Sequence, residues 1–186
     1  MKVEIVNYNR EWMEEFEKES KALENQIGEV TNNIFHIGST AVPGLQAKPI
    51  IDIILGVKSL AQLDNHSSKL ESLGYEGMGE NGIVGRRFYK KGGNNRTHQI
   101  HAFKSGDPNI VRHLAFRDYL IEFKEVAVKY GNLKYDIAQK CNNDIEKYCD
   151  EKAAFVKHHE AIALKWYDDK KIKLLNNDKS TISNRS

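Results

Sequence analysis

The sequence predicts a mixed α/β (α+β) domain, a sheet with flanking helices followed by a helical C-terminal segment. Three observations carry this. Short β-branched and apolar runs bounded by glycine fill the N-terminal half, amphipathic stretches separate several of them, and from Asn109 onward glycine and proline nearly vanish while helical periodicity takes over. With 186 residues, 40% hydrophobic and 29% charged, the chain fits one domain over residues 1–175. A polar tail, 176–186, lacks aromatics and is expected to be disordered.

Taken in order, Val3-Glu4-Ile5-Val6 alternates as a short strand does, and Asn9 can cap a helix whose Trp12, Phe16, Leu23 and Ile27 share one core-facing stripe. Ile34-Phe35-His36-Ile37 and Ile50-Ile51-Asp52-Ile53-Ile54-Leu55 are too apolar to face water on either side, so both read as interior strands. Leu60 to Leu73 is amphipathic and stops at Gly74, after which Tyr75 begins another sheet edge. The glycine-rich segment from Gly77 to Gly82 and the turn Lys91-Gly92-Gly93-Asn94-Asn95 flank a hairpin strand, Val84 to Tyr89, followed by a strand from Thr97 to Phe103. The sheet is therefore expected to be mixed. Three helices complete the domain, with breaks at Gly131 as a C-cap and at Asp150 as a helix start. Cys141 and Cys149 fall in one of these helices, about 12 Å apart and beyond disulfide reach, and read as half-buried packing residues.

A formal net charge of +2, from 28 basic and 26 acidic residues, gives no electrostatic case for a nucleic-acid or membrane partner. No run approaches the ~18 apolar residues of a spanning helix, and Met1-Lys2-Val3-Glu4 is not an apolar leader, so a cytoplasmic location is expected. No Cys/His spacing resembles a zinc site. Oligomeric state is not written in these features.

The chemistry concentrates in His36-Ile37-Gly38-Ser39-Thr40-Ala41-Val42-Pro43-Gly44-Leu45-Gln46-Ala47-Lys48-Pro49-Ile50-Ile51-Asp52-Ile53. It reads as strand, tight turn, short helix, then a strand bearing an acid. Gly38 lets the backbone approach a ligand, and Ser39 and Thr40 can offer hydroxyls and amides at a helix start, a recipe for holding an anion. Asp52 is costly to bury unpaired in so apolar a strand, so it should face a site or a partner. Lys48, fixed beside Pro49, leads directly to it.

This run resembles the signature of the GrpB family, whose domain is similar in fold to the nucleotidyltransferase superfamily. The resemblance continues through Arg87, Thr97-His98-Gln99-Ile100-His101, the segment Arg112 to Leu120, Tyr130, Leu133-Lys134, and Tyr148 with Lys152, and spans roughly residues 3 to 167. It implies a nucleotidyltransferase-like mixed sheet in which Gly38 and Ser39 grip a nucleotide triphosphate and Asp52 holds a divalent metal, magnesium or manganese. The superfamily asks for two acids separated by one residue, and here Ile50 and Ile54 flank Asp52. His101, in the frame Ile100-His101-Ala102, takes the place of a later acid. Imidazole there suits manganese, zinc or nickel better than magnesium, or can act as a general base. His98, three residues earlier, should point to the opposite face of a regular strand.

The candidate site is thus Asp52 and His101 as catalytic and metal-binding residues, with Gly38, Ser39, Thr40, Lys48, Arg87 and Lys134 holding phosphate, and Arg117 and Lys152 as further cations. His36 is expected to be a core histidine, and His158-His159-Glu160 diverge too far around a helix to form a metal cluster. Two functions remain open: metal-dependent nucleotidyl transfer to an unnamed acceptor, or a non-catalytic module for a nucleotide or phosphometabolite.

Overall fold

Five strands form one sheet in the order β1-β2-β5-β4-β3, with β2 and β5 parallel and the other neighbours antiparallel. The computed structural model describes residues 3–183, and side chains from 3 to 172. Along the chain the elements are α1 (Glu11–Ile27), β1 (Thr31–Ile37), a 3-10 turn (Ser39–Ala41), β2 (Ile51–Val57), α2 (Leu60–Asp64), α3 (Ser67–Ser72), β3 (Tyr75–Gly77), β4 (Arg87–Lys91), β5 (His98–Lys104), α4 (Pro108–Glu122), α5 (Lys124–Lys140) and α6 (Ile145–Ser183). The mixed sheet with flanking helices and a helical C-terminal segment is the class that the sequence predicts.

Side-chain alternation along the strands divides the core in two. Ile51, Ile53, Leu55 and Val57 of β2 join Ile100 and Ala102 of β5 against Trp12, Leu23 and Ile27 of α1 and Leu63 and Leu70 of α2 and α3. The opposite face carries Asp52 and Ile54 beside Gln99, His101 and Phe103. There Ile37, Ile54, Phe103 and Ile110 form a smaller apolar layer, and a separate cluster around Tyr119, Leu120 and Tyr130 joins α4, α5 and α6. The greasy face thus holds the sheet together, and the polar face is left to build a site.

Several local expectations are corrected. Among the described residues β1 pairs only with β2, so it is an edge strand. Its Ile34 packs against one core cluster and Phe35 against the other, so an apolar run reports burial of both faces and says nothing of hydrogen bonding at both edges. The segment Val3 to Val6 contributes a single bridge, Val6 to Ala47. Leu60 to Leu73 is two short helices, interrupted where the His66 ring reaches Gln62 O at 2.8 Å and Glu29 Oε1 at 2.8 Å. Val84 to Arg86 precede β4 rather than belonging to it.

The helix breaks also move. Gly131 lies inside α5, where a side chain would meet Leu45 Cδ1 at 3.3 Å, so its use is close helix packing. The first break is at Phe123, whose ring is pinned by Tyr119 and Trp166. The second follows Cys141, where Asn142 and Asn143 take positive φ and Asp144 Oδ1 accepts from Glu146 N and Lys147 N to start α6. Cys141 and Cys149 therefore sit on different elements, the first buried and the second exposed. No glycine or proline interrupts α6, and its backbone runs over most of the segment expected to be a disordered tail. Residues 184–186 lie outside the described residues. Among the described residues no helix is long and apolar enough to cross a membrane.

Candidate functional site

Gly38 ends β1 with φ 73° and ψ −169°, a region essentially reserved for glycine, and an added Cβ would lie 2.7 Å from Asp52 Oδ2. The turn and the strand acid therefore meet by direct contact, as their spacing implies. Thr40 is spent within the protein: it is 1% exposed and its hydroxyl contacts Ile50 O at 3.3 Å and His36 Nε2 at 3.0 Å. The one hydroxyl proton goes to the carbonyl, so His36 Nε2 donates to Thr40. The Thr40 hydroxyl is thus a structural clasp, although Thr40 still borders the cavity beside Ser39. Ser39 does face the cavity, and its Oγ accepts from Lys134 Nζ at 2.8 Å. The 3-10 turn has three residues, too few for an appreciable helix dipole, so any attraction for an anion must come from side chains.

His36 belongs to the core, as expected, on the face opposite Asp52. Its ring stacks on Phe16 of α1 at 4.7 Å, and burial pushes its pKa down to about 4, so it stays neutral.

Asp52 meets its neighbours from β5. With its amide nitrogen toward Asp52 Oδ1 and its oxygen toward Arg96 Nη1, Gln99 makes two contacts of 2.9 Å. His101 Nε2 lies 3.7 Å from the same carboxylate oxygen, and His101 Nδ1 lies 3.2 Å from Arg86 Nη1. A guanidinium only donates, so Nδ1 is the acceptor and the neutral ring carries its proton on Nε2, toward Asp52. His101 is thus a bridge between a cation and an acid. His98 points the other way, where the charges nearest to it are Glu19 and Lys91.

Around this carboxylate the chain gathers Lys48, Arg86, Arg96, Lys134 and Lys152, all lining one cavity of about 320 Å³. None of the five forms an ion pair with a carboxylate among the described residues. Lys48 and Lys152 lie 5.0 and 5.1 Å from the centroid of the Tyr148 ring, which shields part of their charge. Lys134 is 2% exposed and donates to Ser39 Oγ and Gln46 O over the ring of Tyr130. Burial first, then the charges of Lys152 and Lys48, lower its pKa to about 7. The pKa of Lys48 is lowered by burial foremost, then by the charge of Lys152.

A second cavity of about 650 Å³ adjoins the first and shares Ser39, Asp52, Gln99, His101, Cys149 and Lys152 with it. Arg117 lines it and donates to His36 O at 2.9 Å.

This constellation, a glycine pressed on a strand acid with a lysine held by the adjacent serine, lies within a match to the family model described as GrpB protein, which covers residues 2–161. The chain belongs to the GrpB family. It is 41% identical over 165 residues to UPF0157 protein YqkA of Bacillus subtilis (strain 168), covering 89% of this chain and 48% of that protein. It therefore spans about half the length of that relative. Glutamate-rich protein GrpB of Alkalihalophilus pseudofirmus is 35% identical over 157 residues, 82% of this chain and 90% of that one. The crystal structure of conserved protein GrpB from Enterococcus faecalis superposes with a TM-score of 0.85 at 43% identity, covering 88% of this chain and 99% of that chain.

Of the predicted site residues in this GrpB domain, Gly38, Ser39, Thr40, Lys48, Asp52, His101 and Lys134 converge. Arg87 does not. It grips Asp64 through two contacts of 2.8 Å on the other side of the sheet, because in β4 it pairs with Ala102 while Phe88 pairs with His101. Arg87→Ala should leave ligand affinity unchanged and cost about 0–1 kcal/mol of stability, as a partly exposed ion pair does, read by calorimetry and a denaturant melt. Arg86, one position earlier, lines the cavity in its place. Gln99, Arg96 and Tyr148 complete the list that sequence reasoning missed. Gln99 alone had a local signal: counting by two along β5 puts it on the face of His101.

Proposed function

We propose that this GrpB-family domain binds a phosphorylated small molecule of the nucleotide class, with its phosphates among Lys48, Arg86, Arg96, Lys134 and Lys152. One observation supports this above others: five basic side chains without carboxylate partners line a cavity that holds a single acid, Asp52. Buried like charges repel, so such a cluster is stabilised when an anion enters. Arginine offers a fork to two oxygens and lysine a point charge, the mixture that phosphate groups accept.

The second reading, nucleotidyl transfer with Asp52 as the metal-site carboxylate, is favoured by the close approach of the Gly38 turn to Asp52, which sets a turn of the kind that could hold phosphate directly against the strand acid. The donor set does not fit a two-metal centre. Ile50 and Ile54 supply no oxygens, the lone pair of neutral His101 is engaged by Arg86, and no group of three His, Cys, Asp or Glu able to hold a metal occurs among the described residues. A magnesium or manganese ion at Asp52 would need the phosphate oxygens of the ligand to complete its shell.

Thermal melts in chelator with ATP, GTP, CTP, UTP and pyrophosphate test the proposal. A ligand at about 100 times its Kd adds about 2.7 kcal/mol, roughly 5–10 °C for a chain of this size. Protection in chelator by one or more of them is the expected result. Protection that requires magnesium or manganese and disappears in Asp52→Asn would favour the second reading. No protection by any phosphate, with or without metal, would overturn both.

A further inference from the structure

The cleft is divided electrostatically. In the smaller chamber the cations have no carboxylate partners, whereas the two arginines that line only the larger one are compensated: Arg112 is paired with Glu160 at 2.6 Å and Arg117 with Asp118 at 2.7 Å, and Lys152 stands at the junction of the two. Away from these groups and the junction with the smaller chamber, most of the larger chamber's wall is apolar, chiefly Ile83, Phe116, Leu120, Ala153 and Val156, with His113 among them. Its volume, about 650 Å³, lies within the ~300–1,000 Å³ range of sites for drug-sized ligands.

We propose that the ligand is a phosphate ester whose bulky uncharged group fills this larger chamber while its phosphates lie among the cations of the smaller one. The inference rests on the phosphate-binding reading and assigns the ligand's organic group a chamber of its own. Two features of the geometry support it. The chambers meet at Ser39, Asp52, Gln99, His101, Cys149 and Lys152, so one molecule can span both. Inorganic phosphate would leave the larger chamber full of water against apolar wall, and an ester group would displace that water with a gain that grows with the apolar area covered.

The test is calorimetry in chelator with two matched pairs of probes: tripolyphosphate against ATP, and pyrophosphate against geranyl diphosphate. Each pair shares its phosphate head and differs in the organic group, aromatic in one and aliphatic in the other. At least one ester should bind about tenfold more tightly than its inorganic match, and which pair shows the gain identifies the kind of group. Ala153 lies on the exposed side of α6 and lines the larger chamber, so Ala153→Trp fills the space without disturbing the core; Ala153→Leu serves if the larger residue does not fold. Either variant should reduce the advantage of the ester and leave the affinity for the inorganic anion within twofold. Equal affinities within both pairs, or an ester advantage that neither variant alters, would overturn this inference and leave the anion site standing. If none of the four probes binds, the anion site falls as well.

Discussion

Gly38→Ala should abolish binding of the phosphorylated ligand and lower the melting temperature by about 5 °C. Two costs combine. A residue with a Cβ at φ 73° and ψ −169° carries strain of order 1–3 kcal/mol, and the new methyl would stand 2.7 Å from Asp52 Oδ2. At this chain length each 1 kcal/mol shifts the midpoint by roughly 2–4 °C. The carboxylate must rotate or the turn must open, and either displaces Ser39, whose hydroxyl holds Lys134. A double-mutant cycle with Asp52→Ala separates the effects: removing the carboxylate relieves the collision but not the backbone strain, so the double mutant should recover part of the stability and none of the binding. An alanine variant that melts and binds as the wild type does would show that the turn has no part in the site.

Anion affinity should fall as pH rises through about 7, and Lys134→Met should remove most of that dependence. In the folded, ligand-free protein the pKa of Lys134 is held near 7, well below its ordinary value of 10.5. Between those values the unfolded chain binds more protons than the folded one, so for this group stability rises with pH across that window; the charged amine is a burden below about pH 7 and none above about 10.5. An anion reverses the sign of the local field. It favours the ammonium, draws a proton onto Lys134, and binds less tightly once that proton must be taken from solution. The other charges facing Lys134 are Lys48, Lys152 and Asp52, and Lys48 is shifted in the same direction, so the variant should keep a shallow slope. Measuring from pH 7 to 9 avoids the last phosphate proton, whose pKa is near 6. Calorimetry in buffers of differing ionisation enthalpy should report proton uptake in wild type and much less in Lys134→Met. A flat wild-type profile would mean that Lys134 does not touch the anion.

The preference for His101 over His98 comes from the frame of the family resemblance. The mixed class, the strands β2 and β5, the contact between the Gly38 turn and Asp52, and the placing of His98 and His101 on opposite faces were legible in the sequence. Each follows from short-range rules. A glycine after an apolar run ends a strand, an acid in a greasy strand needs a polar neighbour, and side chains alternate between faces with a period of two. The same alternation sets Arg86 and Arg87 on opposite faces wherever the strand begins, but which of them meets His101 depends on the register of β4 against β5, where Phe88 pairs with His101 and Arg87 with Ala102.

What the sequence determined by itself is which residues share a face of one element. The tertiary structure decided which elements meet. Lys48 comes from the loop before β2, Arg86 and Arg96 from the segments on either side of β4, Lys134 from α5 and Lys152 from α6, and nothing in their separate surroundings marks them as one cluster. Gly131 carries the same lesson: by composition it ends a helix, and in the fold it lets α5 approach Leu45 and Gln46 closely enough for Lys134 to reach Gln46 O and Ser39. Periodicity is a property of a few bonds along the backbone, whereas the convergence of five cations on one carboxylate depends on how separate helices and loops pack against the sheet, and that packing is fixed by the fit of whole surfaces.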